Sequence, residues 1–89
     1  MPPEDERRAI AADLWAYGED GLAERAASLT DEQLDRIGEL AWDWALQTSG
    51  ARLIAKAVAL AAVEVLTGEP CPLPHQRRRP FAKNPYEQE

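Results

Sequence analysis

Acidic side chains recur every four residues at Asp31, Asp35, Glu39 and Asp43, with Glu32 alongside. On a helix this spacing gathers the carboxylates into one ridge, where like charges at i and i+4 oppose the helix by a few tenths of a kcal/mol per pair. Helix stability therefore does not account for the ridge. Such a row is either a solvated face partly neutralised by Arg36 or a docking strip for a basic partner. The matching cations within this sequence are Arg77, Arg78 and Arg79, from the same chain or from a second copy.

Metal and acid–base chemistry find less support. Carboxylate di-metal sites in bundles use a Glu-x-x-His pattern on facing helices, whereas the single histidine, His75, lies near the C-terminus beside the single cysteine, Cys71. Those two could hold zinc only with ligands from elsewhere, because structural zinc sites take four Cys or His side chains. Nucleophilic catalysis meets the same obstacle, since no histidine in the helical part stands ready to activate a serine or cysteine. Nothing marks a pair of carboxylates with divergent environments. The residues point away from an enzyme and imply no metal and no cofactor.

The ridge needs a helix to carry it, and the clearest start signal in the chain lies just before it. Thr30-Asp31-Glu32-Gln33 reads as a capping box, with Leu29 and Leu34 at the two positions of a hydrophobic staple. Leu34, Ile37, Ala41, Trp44 and Thr48 continue one apolar stripe at alternating spacings of three and four. Trp42 and Trp44 are two residues apart, so one ring enters the core and the other meets a second surface. Gly38, four residues before Trp42, is a place where a neighbouring helix could approach closely.

A first helix is expected over Pro3–Tyr17. Proline at its first position and Glu4, Asp5 and Glu6 suit the positive end of the helix dipole, and Ile10, Leu14 and Tyr17 form its inner stripe. Gly18 is its expected stop. Asp20 is the expected cap of a short second helix over Gly21–Ser28.

From Gly50 to Gly68 the sequence reads GARLIAKAVALAAVEVLTG, and its charges, Arg52, Lys56 and Glu64, fall on one narrow stripe. The rest of the circumference is Ala, Val, Leu and Ile, so this helix is stable only where neighbours cover it on more than one side. Thr48-Ser49-Gly50 is expected to turn the chain into a helical hairpin, with Ser49 capping the fourth helix. Sixteen residues at about 1.5 Å each fall short of a bilayer core of about 30 Å, so no membrane span is expected. The opening MPPEDERR is acidic and lacks the order of a signal peptide, which makes the cytoplasm the expected compartment.

Charge divides the chain. Residues 1–70 carry fourteen acidic and six basic side chains, a balance of −8, and residues 71–89 carry four basic and two acidic, a balance of +2. The helical part should repel nucleic-acid phosphate, whose binding rests on Lys and Arg. After Gly68, prolines at 70, 72, 74, 80 and 85 exclude a helix.

The expected architecture is an all-α bundle over 1–69, three long helices and one short with the fourth central, followed by a proline-rich basic tail over 70–89 that stays disordered. The expected function is that of a small interaction or regulatory protein, acting as a homodimer whose interface draws on Trp42, Trp44, Val58 and Ala62 and binding a further protein. The alternatives are a nucleic-acid-associated factor using Arg77–Arg79, and an acidic mimic that blocks a basic surface.

Overall fold

The computed structural model describes residues 2–47, 54–69 and 84–86, with backbone alone at 44–47, 54 and 55. Among these residues the chain is all-α and contains no strand. Its helices are α1 (Pro3–Ala16), α2 (Asp20–Arg25), α3 (Asp31–Gln47) and α4 (Ile54–Thr67), with a single 3₁₀ turn over Ala26–Ser28 after α2.

Local chemistry sets most of the helix ends. Pro3 opens α1, with Glu4, Asp5 and Glu6 in its first turn. Gly18 closes it at a φ of +84°, a left-handed conformation that suits glycine. The Gly18 amide donates to the Trp15 carbonyl (3.0 Å) and the Glu19 amide to the Leu14 carbonyl (2.9 Å), the paired bonds of a Schellman closure. At α3 the capping box forms reciprocally. The Thr30 amide donates to Gln33 Oε1 (2.8 Å), and the Gln33 amide donates to Thr30 Oγ1 (3.1 Å). Leu29 and Leu34, the two halves of the staple, are both buried.

The start of α2 differs from the sequence-based expectation. Asp20 is the first helical residue, and Glu19 holds the cap position without a side-chain hydrogen bond. The reason lies in the closure of α1, which delivers Glu19 with its carbonyl already placed to accept from the Ala23 amide at 2.8 Å. The second helix also tightens after Arg25 into its 3₁₀ turn instead of running as α-helix to Ser28.

Helix α4 is the centre of the bundle, touching α1, α2 and α3. Six of the seven residues from Ala57 to Val63 are buried, all but Val58, and at about 100° per residue they go right round the helix. Ala59, Ala61 and Ala62 are 0 % exposed. The centre is thus made of small side chains that let three helices close in, while the larger Val58, Val65 and Leu66 lie half-buried on its flanks. Helices α3 and α4 share the most extensive helix–helix contact, as two separate helices packed side by side. The turn between them, with Ser49 as its expected cap, lies outside the described residues. Gly68 ends α4 at a φ of +77°, its amide donating to the Glu64 carbonyl at 2.8 Å.

Two arginines tie distant elements together. Arg7 of α1 donates from Nε to the Leu29 carbonyl (2.7 Å) and from Nη2 to Asp31 Oδ1 (3.0 Å), holding the start of α3 against α1. Arg25 Nη2 donates to the Leu66 carbonyl at 3.1 Å and joins the ends of α2 and α4.

Among the described residues beyond α4, Asn84 and Tyr86 join the fold in a way that the sequence did not announce. Asn84 is buried, and its Nδ2 donates to the Ala12 carbonyl of α1 at 2.8 Å. Its Oδ1 accepts from the Tyr86 amide at 3.0 Å, and Tyr86 packs on the core. The expectation of a disordered tail over 70–89 does not hold at Asn84 and Tyr86. Ala12, whose carbonyl accepts the Asn84 bond, is itself buried and lies across α1 from the inward stripe of Ile10, Leu14 and Tyr17. Asn84→Ala should lose the bond to α1 and the small turn it supports, about 1–2 kcal/mol. A drop in melting temperature of about 4–8 °C per kcal/mol would register this, and an unchanged melt would show that the contact adds no stability.

Candidate functional site

The ridge anticipated on α3 exists as a surface. Asp31, Asp35, Glu39 and Asp43 are all exposed, and Glu32 with them. Asp31 is held by Arg7 at 3.0 Å, and Glu39 pairs with Arg36 at 3.4 Å, the local neutralisation expected for Arg36. Among the described residues, these ion pairs leave Asp35 and Asp43 without a cation.

On the same face stands Trp42, the largest side chain left open to water among the described residues, at 66 % exposure. It is seven residues after Asp35 and three after Glu39, so all three project from one side of α3. The buried stripe of Leu34 and Ile37 occupies the other side, with Leu40 and Ala41 half-buried at its margins. This pairing of indole and carboxylates is legible in the spacing of Asp35, Glu39 and Trp42. Of Trp44, only the backbone is described.

Gly38 was expected to admit a neighbouring helix, and the structure corrects this. The position is exposed, and a Cβ built there would meet nothing within 4 Å. Of the expected dimer contacts, Ala62 is enclosed by its own chain and has no surface to give a second copy, whereas Val58 is half-buried and keeps part of its surface. The apolar excess of α4 that suggested self-association is largely spent on α1, α2 and α3. Arg77, Arg78 and Arg79, like Cys71 and His75, lie outside the described residues.

Other parts of the surface offer less. A groove of about 410 Å³ between α3 and α4 mixes Glu32, Arg36 and Glu64 around Leu40 and Val65. Among the described residues, no group of three or more His, Cys, Asp or Glu side chains is placed to hold a metal ion. No buried side-chain polar atom there lacks a partner, so none is left over for a ligand. Nor is any described helix long and apolar enough to cross a membrane.

The fold and this face define a small all-α helical bundle with an acidic, aromatic outer surface. No protein-family model, curated protein or solved structure matches the chain.

Proposed function

We propose that this chain is a non-enzymatic protein-interaction module that presents the outer face of α3 to a basic partner. The observation that carries the reading is Trp42, two-thirds exposed on a helix face lined with solvent-facing carboxylates. An indole in water is a common energetic centre of protein interfaces, where tryptophan and arginine dominate binding. The acidic surroundings select against nucleic acid and favour a cationic protein surface. A homodimer through this face would set two rows of carboxylates against each other, so a partner of opposite charge is the better occupant.

The reading makes an asymmetric demand on Trp42→Ala. Truncating an exposed side chain should leave stability within about 0.5 kcal/mol, because almost no packing is removed and alanine is the better helix former. Binding should fall by about 2 kcal/mol or more, near thirtyfold. Wild type and variant, used as baits in the source cells, should retain and lose the same partner, with matched melting curves. A partner retained equally by both would place the contact elsewhere. Sedimentation of the protein alone over a hundredfold concentration range should show a 9.9 kDa species, and a doubling of that mass would revive self-association.

A further inference from the structure

Asn84 is the buried polar residue among those described, and both ends of its amide are used. Nδ2 donates to the Ala12 carbonyl at 2.8 Å while Oδ1 accepts from the Tyr86 amide at 3.0 Å. One side chain therefore fastens the segment to α1 and folds it into a turn. Aspartate has no N–H to give Ala12, and glutamine is a methylene too long to close the same turn. Pro85, exposed between them, presets the backbone and has no N–H to satisfy. Tyr86, half-buried against the core, then lines a groove of about 420 Å³ between α1 and α2, beside Ala11, Ala23 and Ala27, with Arg8 and Glu24 also on its wall.

We propose that the groove between α1 and α2 is a recognition site for the chain's own Asn84-Pro85-Tyr86 turn, which closes it as a releasable cover. The occupant is the one seated there, and its chemistry is that of a bound peptide: a directed side-chain bond, a preset turn and an aromatic ring in an alanine-lined groove. The cover is light. It belongs to no helix, and it reaches α1 through the Asn84 amide and one half-buried ring. Segments of this kind open locally far more readily than the core beneath them, with an open form populated at a few per cent to about a tenth. Residues 70–83 join the turn to α4, so when open it remains at roughly millimolar effective concentration and closes again. The site lies on α1 and α2, apart from the outer face of α3, and does not depend on the interaction reading above.

The test uses the full chain labelled for NMR and, as probe, a synthetic peptide of residues 82–89, Ala-Lys-Asn-Pro-Tyr-Glu-Gln-Glu. In the double variant Asn84→Ala, Tyr86→Ala the amides of Ala11, Ala12, Ala23 and Ala27 should shift. Added peptide should return them toward their wild-type positions with a Kd of about 0.1 mM, the millimolar tether concentration divided by the closed-to-open ratio. Wild type, whose own turn holds the groove, should bind the same peptide about ten- to thirtyfold more weakly, in proportion to the time the cover is open. The peptide carrying Asn84→Asp should lose binding. In the full chain Asn84→Asp is the gentler companion, since it keeps the size and the bond from Tyr86 and loses the donor. It should shift the same four amides.

Unmoved Ala11, Ala12 and Ala23 amides in both variants would mean that the turn does not sit on this groove. Equal peptide affinity for wild type and double variant would show that the chain's own segment does not close it, and binding to neither would remove recognition altogether. Each result overturns the proposal. A wild-type mass double 9.9 kDa that reverts in the double variant would place the turn on a second copy and overturn the cover.

Discussion

The Ala61→Asp variant is expected to yield no folded protein at 25 °C. Ala61 is 0 % exposed at the centre of α4, the helix that touches all three others. A carboxylate there would be cut off from water and without a partner, at a penalty of several kcal/mol even after neutralisation by protonation. It would also push apart helices that approach closely because the residue is alanine, adding about 1–3 kcal/mol of strain. Folded chains of this length hold only about 4–13 kcal/mol in total, at roughly 0.05–0.15 kcal/mol per residue. Circular dichroism should show the helical signal largely gone. The same change at Val58 should be milder, because that side chain is half-buried and an aspartate there has a route to water. If Ala61→Asp kept a native melt, α4 would not be the centre of the fold.

The second large effect is expected at Leu14. It is the bulkiest side chain among those fully buried, on the inner stripe of α1 with Ile10 and Tyr17. Leu14→Ala removes apolar contact and leaves a cavity that a tight bundle closes only in part, a loss of about 2–5 kcal/mol. Urea titration should move the midpoint sharply with little change in slope, since the surface exposed on unfolding stays nearly the same. A loss below about 1 kcal/mol would mean that α1 lies on the bundle without completing its core. The contrast with Trp42→Ala is the informative comparison. The larger side chain is expected to matter less for stability, because the size of a residue counts only where water is excluded.

Interactions confined to one turn of helix were readable from neighbouring residues. The Thr30–Gln33 capping box, the Leu29–Leu34 staple and the Gly18 stop each involve groups within five residues of one another. Nearby residues meet in any helical chain, so their types suffice. The central place of α4 was legible for a related reason: a helix apolar all round has no stable position but an enclosed one. The acidic ridge needed only the four-residue period.

What only tertiary structure decided is whatever joins residues far apart in the chain. Arg7 selects the Leu29 carbonyl and Asp31 over the other acids of this sequence, and Asn84 finds Ala12 across 72 positions. Composition alone assigned Asn84 to a disordered tail, because a single buried amide leaves no mark on hydropathy. Gly38 and Ala62 were misjudged in opposite senses. A glycine in a helix and an alanine in a helix look alike until the neighbours are known, and here the neighbours left Gly38 bare and closed over Ala62. Small residues carry almost no directional preference of their own, so which of them faced a helix and which faced water was settled by packing.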